Sequence, residues 1–471
     1  MSIKIINPDG VSKKIQIVDE NENIYTKIRN LGGGGQAKVW IVRRDKDKKD
    51  FAFKFYKGDN ANTTTRQNIQ KLIVDGPIVD QNGIEEKGIV MPRAFVSGDD
   101  GNYGYIMDLV DLNGFCTLKD IWIDTKQYPS ADILCDIICN IATLFGKMHK
   151  WRGYCYKDIN EGNIFFNPKT GDVRIIDNDN LGSSEIFTIK GTFGYIAPEV
   201  LLNLQKPDSR TDQYSLAVYF YRLMVGGYPF EGKYTRDYCD KKGVVLLGNM
   251  SAAQYLFGEY PIFTWDPTNR SNAITDIDDD TLNGQCTLWV NLPEKVKKLF
   301  IQTFCNAISP ANRAQRTHED QWVKTFQELK KNIITCPNPS CHAKNLPGSR
   351  LCIICDTKLP QKTTDSVKFN VFTLNEANKV DMKSLVLNHT DIVSGSVLHK
   401  KMSDNSCMQL LKNKNTGRLG LKNLTNKQWR IVMPDKSEKS CNFNEVVEIQ
   451  QGMKIVIEYK ILQLEVENIS Q

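Results

Sequence analysis

The sequence predicts an α+β fold over its first 330 or so residues, then a small cysteine-held module, then an all-β sandwich. Three observations carry this expectation. Strand-like segments between Ile3 and Lys54 enclose a glycine turn. Apolar residues recur at helical spacing from Ala131 to Lys150 and lead into a polar loop, Tyr156 to Asn163. Beyond residue 366 apolar residues alternate at period two, as in half-buried strands.

Length and composition fit that division. At roughly 150 residues per domain, 471 residues suggest about three domains. A hydrophobic fraction of 41% and a charged fraction of 25% are those of a globular chain. The net charge of +6 is small and spread out, so composition gives nucleic-acid binding little support. Thirteen cysteines, nine of them without framework spacing, point to a reducing compartment. The N-terminus lacks a signal-peptide pattern, and the most apolar run, Ser215 to Phe230, is broken by Arg222 and Gly226-Gly227. The expectation is a cytoplasmic protein without a membrane span.

In chain order, Tyr25 to Ile41 reads as strand, turn, strand, with the turn at Leu31-Gly32-Gly33-Gly34-Gly35 and Lys54 on the next strand. Glycines there let backbone amides approach phosphates, and the lysine can reach the same oxygens; the bland alternative is a flexible hairpin. A helix follows from about Thr64 to Val74, with Thr63 to Thr65 as N-cap candidates. Ile89 to Val96 and Tyr103 to Val110 read as strands. Ala131 to Lys150 is a helix with a buried stripe, including Leu134, Ile138, Ile141 and Phe145. It delivers the chain to Asp158, followed five residues later by Asn163 and, beyond a short hairpin, by Asp177. Two acids and an amide are the groups phosphoryl transfer needs, although Asp and Asn also form ordinary turns.

With these motifs in this order, the first 333 residues resemble a eukaryotic-like, Hanks-type protein kinase, which implies a bilobal domain with an N-lobe to about residue 110 and a C-lobe to 333. The resemblance implies ATP between the lobes. Leu31, Val39, Ala52 and Phe165 would sandwich adenine, Gly32 and Gly34 belong to the phosphate loop, and Asp108 and Val110 offer hinge backbone bonds behind Met107. Lys54 would hold the phosphates, Asn163 and Asp177 Mg²⁺, and Asp158 would act as base. Gly191 to Glu199 closes the activation segment, Asp212 opens the central C-lobe helix, and Arg313 is expected to pair with Glu199.

Departures from the family pattern bear on mechanism. Ala37 replaces the third loop glycine. Asn178 and Asp179 stand where phenylalanine and glycine usually follow the metal aspartate, which suggests a motif that does not flip. The short helix has no glutamate to partner Lys54; Gln70 or Gln67 lies nearest by spacing, with Glu85 and Glu86 in the following loop. This favours the alternative of a pseudokinase scaffold, against which stand the four intact groups Lys54, Asp158, Asn163 and Asp177. Lys157 replaces the arginine that grips a phosphorylated loop, so phosphorylation at Ser183, Ser184, Thr188 or Thr192 need not be the switch. Asn160 replaces a common lysine, while Thr192 favours serine/threonine as acceptor.

After an expected helix from Ser215 to Val225, Glu231 to Asn291 reads as an Asp- and Asn-rich loop insertion whose Asp276, Asp278, Asp279 and Asp280 form a solvated cluster. Pro293 to Asn306 and Thr317 to Lys331 read as helices. Cys336, Cys341, Cys352 and Cys355 then form two close pairs in a 334–359 zinc ribbon, with His342 as a substitute ligand; four thiolates suit a closed, structural Zn²⁺ site. A linker, 360–366, precedes the β-sandwich of 367–471, where Leu419 to Leu421, Trp429 to Val432 and the alternating run Ile455 to Val466 supply strands. Its ending resembles forkhead-associated domains, leaving a β adaptor and a phosphopeptide reader both open. The whole architecture resembles kinases of tellurite-resistance-linked triads, which implies a von Willebrand A-type protein and a PP2C-type phosphatase as partners.

Overall fold

The computed structural model describes residues 4–6, 14–33, 37–56, 61–98, 101–125, 128–183, 191–246, 249–276, 282–360, 366–374, 379–389, 391–398, 405–413, 416–458 and 462–470. Gly34, Ser184, Thr188, Asp278, Asp279, Asp280 and the strand residues Tyr459 and Ile461 lie outside them. Two compact units emerge, Met1–Pro360 and Gln361–Gln471.

The first unit opens with β1 (Lys4–Ile6), β2 (Lys14–Val18), β3 (Ile24–Gly33), β4 (Lys38–Arg44) and β5 (Asp50–Tyr56), followed by helix α1 (Thr63–Asp75) and strands β6 (Pro92–Ser97) and β7 (Tyr103–Asp108). They make one sheet in the order β1-β2-β3-β4-β5-β7-β6. Helix α1 is capped by Asn62, whose side chain accepts from the Thr65 amide at 2.8 Å, and not by the threonines. Ile89 lies before the strand begins; it bridges to Ile175 in the other lobe. Gly104 on β7 is required by close approach: a Cβ there would sit 2.5 Å from the carbonyl oxygen of Lys54.

The second lobe runs through β8 (Cys116–Thr117), α2 (Leu118–Ile123), α3 (Ala131–Lys150), β9 (Ile164–Phe166), β10 (Val173–Ile175), α4 (Pro198–Leu201), α5 (Ser209–Val225), α6 (Lys233–Lys242), α7 (Met250–Ala253), α8 (Asn283–Asn291), α9 (Glu294–Ile301) and α10 (Glu319–Lys330). Helix α3 buries the predicted stripe against the core, each large side chain contributing about 1.5–3 kcal/mol. Helix α5 starts earlier than expected, at a capping box in which Asp208 accepts from the amides of Arg210 and Thr211. The expected insertion after Glu231 is largely helical. Its helix α6 fully buries only Thr235 and sets the partly buried Tyr234, Tyr238 and Cys239 against the core, a face easily passed over among charged residues.

The cysteine module follows as the hairpin β11 (Ile334–Thr335) and β12 (Lys344–Asn345), packed on the helical lobe. Ser349 donates to the Asn291 carbonyl at 2.9 Å, Lys344 pairs with Asp132 of α3 at 2.5 Å, and Leu346 joins the main core.

The second unit contains β13 (Ser366–Leu374), β14 (Val380–Asn388), β15 (Ile392–Ser394), the short helix α11 (Gly395–Leu398), β16 (Ser406–Lys412), β17 (Leu419–Asn423), β18 (Trp429–Val432), β19 (Glu438–Cys441), β20 (Val446–Glu448), β21 (Lys454–Glu458) and β22 (Leu462–Ser470). One sheet runs β14-β13-β22-β21-β18-β19 and the other β15-β16-β17-β20. Side chains from both, among them Phe369, Trp429 and Leu464 from one and Met408, Leu410 and Leu421 from the other, form a single buried cluster.

Candidate active site

Sheet register aligns the first set of side chains. Val39 on β4 pairs with Lys54 on β5, and Ala52, two residues before Lys54, pairs with Met107 on β7. Cross-strand partners and residues two apart share a face, so Val39, Ala52 and Lys54 line the same side of the sheet. Leu31, near the end of β3, is exposed, while Phe165 on β9 is half-buried. The Asp108 carboxylate accepts from Arg93 at 2.9 and 2.6 Å, and Val110 follows the strand, half-buried.

The polar loop is pinned from below. The buried carboxylate of Asp212, at the start of α5, accepts from the backbone amides of Tyr156 at 2.5 Å and Lys157 at 3.0 Å. Lys157 takes a left-handed backbone (φ 73°), a cost those two bonds offset. His149, from the last turn of α3, bridges Asp212 at 3.0 Å and Glu319 at 2.8 Å. Burial opposes charge on this imidazole, but hydrogen bonds to Asp212 and Glu319 outweigh it and push its pKa up to about 9.

Above this base the Asp158 carboxylate accepts from Thr192 Oγ1 at 2.7 Å and from Asn163 Nδ2 at 3.2 Å, and Asn163 also reaches the Asp158 carbonyl at 3.0 Å. Asn160 links the two sides by donating to Thr192 Oγ1 at 3.1 Å. The Asn163 carbonyl accepts from the Ile176 amide at 3.0 Å, which sets Asp177 beside the loop. Asp177, left-handed at φ 59°, meets Lys54 Nζ at 2.7 Å. Asp179 meets the same ammonium at 3.1 Å. Burial disfavours the Lys54 charge, yet the Asp179 and Asp177 carboxylates prevail and hold its pKa well above the usual value. Lys54 thus pairs with Asp177, 123 residues away, and Asn163 with Asp158, and the Ile176–Asn163 backbone bond sets the two pairs side by side.

Two expectations are revised by the structure. Glu199 is held most closely by Arg316, both fully buried, in a two-pronged pair at 2.7 and 2.8 Å; the expected partner, Arg313, reaches Glu199 only at 3.8 Å and lies nearer Asp208, at 2.7 Å. Neither glutamine of α1 partners Lys54: Asp179 does. Glu85 and Glu86 are engaged with Arg93 and Lys147. The α1 residue facing the site is Asn68, buried and donating to the carbonyls of Asp179 at 2.6 Å and Leu181 at 2.9 Å. Asn178, in the place usually taken by phenylalanine, is buried and donates to Val90 and Ile175 carbonyls at 2.9 and 2.8 Å.

A protein-family profile described as "Protein kinase domain" matches residues 25–305, more than half of the chain. The chain belongs to the protein kinase domain family. Its kinase domain is 29% identical to the probable serine/threonine-protein kinase CCRP1 of Zea mays over 44% of this chain and 32% of that one. It is 26% identical to the serine/threonine-protein kinase PknF of Mycobacterium tuberculosis over 50% and 48%, and 23% identical to human ribosomal protein S6 kinase alpha-2 over 58% and 38%. The chain thus spans about a third to a half of the length of these curated relatives. Membership implies ATP and Mg²⁺, and the donor set fits a hard cation: Asp177 offers a carboxylate still partly open to solvent, and Asn163 an amide oxygen.

Beside the kinase domain, the sulfurs of Cys336, Cys341, Cys352 and Cys355 lie within 4.8 Å of one another, without His342. Cys336 and Cys355 are 3.6 Å apart and Cys341 and Cys352 3.7 Å. Four sulfurs at about 2.3 Å from one tetrahedral centre would be spaced by about 3.8 Å, so the group has the dimensions of a zinc site. Hydrogen bonds from the side chain and backbone of Thr357 hold the Cys355 thiol down to about 6. All thirteen cysteines are free thiols, and among the described residues no helix is long and apolar enough to cross a membrane.

Proposed function

We propose that the chain is a serine/threonine protein kinase that transfers the γ-phosphoryl group of ATP to protein hydroxyls with Mg²⁺. The observation that carries this reading is the pairing of Lys54 with Asp177 and of Asn163 with Asp158, the two pairs tied together by the backbone bond from Ile176 to Asn163. Leu31, Val39, Ala52 and Phe165 enclose the adenine, backbone groups of Asp108 and Val110 bond its edge, and Gly32 and Gly34 let amides reach the phosphates. Lys54 grips the α- and β-phosphates. Mg²⁺, when bound, neutralises charge on the transferring group. Asp177 and Asn163 hold that ion, and Asp158 orients the acceptor hydroxyl and takes its proton. Thr192 and Asn160, hydrogen-bonded beside Asp158, form the wall against which a serine or threonine chain lies.

The four cysteines hold a structural Zn²⁺, since four sulfur ligands leave no open position. The sandwich is forkhead-associated-like and grips partner proteins, for which a von Willebrand A-type substrate and a PP2C-type phosphatase are the proposed pair. A cytoplasmic setting agrees with thirteen cysteines of which none forms a disulfide.

A second reading, a nucleotide-binding pseudokinase scaffold, draws on one feature: no carboxylate of α1 faces Lys54. Labelled-phosphate incorporation separates the two. Asp158→Ala and Asp177→Ala should each lower it by about 1,000-fold relative to the wild type, whereas equal residual labelling in all three would leave only the scaffold. Phosphoamino-acid analysis should give phosphoserine or phosphothreonine, and dominant phosphotyrosine would refute the acceptor class.

A further inference from the structure

We propose that Asp179 is the positioning carboxylate of Lys54, supplied from the 177–180 turn itself, so that α1 contributes to the site through an amide rather than a charge. This rests on reading Lys54 as the phosphate-binding group. A lysine whose side chain is only 7% exposed requires a counter-charge that stays with it. Asp177 and Asp179 are both within reach, but they are not equivalent. The Asp177 side chain is 38% exposed and is the one open to a cation; the Asp179 side chain is 2% exposed and sealed behind the lysine. If a metal draws on Asp177, Asp179 alone remains to balance the ammonium.

The surroundings of Asp179 fit no other task among the described residues. Its Oδ1 is buried without a hydrogen-bond partner, which is tolerable only where a neighbouring charge compensates the carboxylate. The turn carrying it is fastened twice, by Asn68 to the carbonyls of Asp179 and Leu181 and by Asn178 to those of Val90 and Ile175. The buried positions of α1 are Thr65, Asn68, Ile69 and Leu72, none acidic, and Asp75 at its end is engaged with Lys71 and Tyr154. Outward movement of α1 would therefore loosen the turn without removing the lysine's counter-ion.

Full-length Asp179→Asn, Asp179→Glu and Asp179→Gly are compared with wild type in three measurements: affinity for methylanthraniloyl-ATP in EDTA, KM and kcat for ATP across a Mg²⁺ series, and melting temperature without ligand. Asp179→Asn should weaken metal-free nucleotide binding and lower kcat/KM for ATP by on the order of 100-fold, with the KM for protein substrate unchanged. Asp179→Glu should recover part of the loss. The effect of Asp179→Asn on melting should reverse sign in a Lys54→Met background, where the carboxylate would otherwise be buried alone. Should Asp179→Asn not fold, Asp179→Gly, which leaves no unpaired polar atom, carries the same comparison. Wild-type affinity and kcat/KM in Asp179→Asn or Asp179→Gly would overturn the proposal. So would a defect absent in EDTA and abolished by high Mg²⁺, which would make Asp179 a metal ligand. If wild type transfers no phosphate, the kinase reading fails while the metal-free comparison still decides the role of Asp179.

Discussion

The kinase domain seals charges away from water: Glu199 with Arg316, Asp212 with His149, Lys54 with Asp179. In the sandwich the buried polar side chain among the described residues is Asn423, whose amide donates to the carbonyls of Lys427 and Cys441. The remainder of that core is apolar, from Val367 to Val466. The difference shows what each unit needs from its interior. Burying an ion pair stabilises little against an apolar equivalent, but it fixes the geometry of what it touches, and each kinase-domain pair touches the polar loop, the 177–180 turn or the end of the activation segment. The sandwich, held by period-two alternation, needs no such fixed points.

The comparison is sharpened most by removing metal from the cysteine module. A zinc chelator should release about one equivalent of metal and unfold 334–359, since such sites contribute about 10–16 kcal/mol to a module with little core of its own. Melting of a 361–471 fragment should be unaffected. Substoichiometric zinc that leaves without loss of structure would end the proposal of a structural site.

Next in size is Arg316→Met, which strands a fully buried Glu199 carboxylate and should cost about 3–5 kcal/mol in urea denaturation of the kinase domain. Arg313→Met should cost far less, because that side chain is partly exposed and binds Asp208. Equal effects would mean that both guanidiniums share Glu199.

A smaller effect separates the units by pH. The folded-state pKa of His149 is raised to about 9 against an ordinary value near 6.5. Its contribution, about 3 kcal/mol, is therefore complete below pH 6.5 and is lost as pH rises through about 9. The facing groups are Asp212 and Glu319, with His318 beside Glu319. Kinase-domain stability should fall between pH 6.5 and 9 in wild type and flatten in His149→Gln; an unchanged slope would exclude His149 as its source.

How much of this was legible follows the same division. Motif order singled out Lys54, Asp158, Asn163 and Asp177 as candidates, and the fold brings Lys54 to Asp177 and Asn163 to Asp158, while α3 was visible from its apolar stripe. Asp179 was visible only as a departure from a familiar triplet, since nothing local tells a residue that its partner lies 125 positions upstream. Arg313 and Arg316 sit about one turn apart at the end of one 3₁₀ stretch, and only the packed structure decides which points inward. Helix α6 was hidden because the face it sets against the core, Tyr234, Tyr238 and Cys239, is only partly buried and stands among charged residues. In the sandwich, Trp429 and Ile431 were readable by alternation, whereas the pairing of β13 with β22, about a hundred residues apart, was not.

The smallest effect tests the sandwich's independence from charge. Arg430 on β18 and Glu438 on β19 form a two-pronged pair, with Nε to Oε2 at 2.9 Å, but each side chain is about half exposed, at 53% and 52%. Water and salt screen such a pair, and two long side chains lose rotamer freedom in making it. Arg430→Ala should therefore cost no more than about 1 kcal/mol in urea denaturation of the 361–471 fragment, and less in 0.5 M salt. A loss of about 3 kcal/mol that persists in salt would mean that this pair orders the β18–β19 edge, and the contrast between a charge-organised kinase domain and an apolar sandwich would no longer hold.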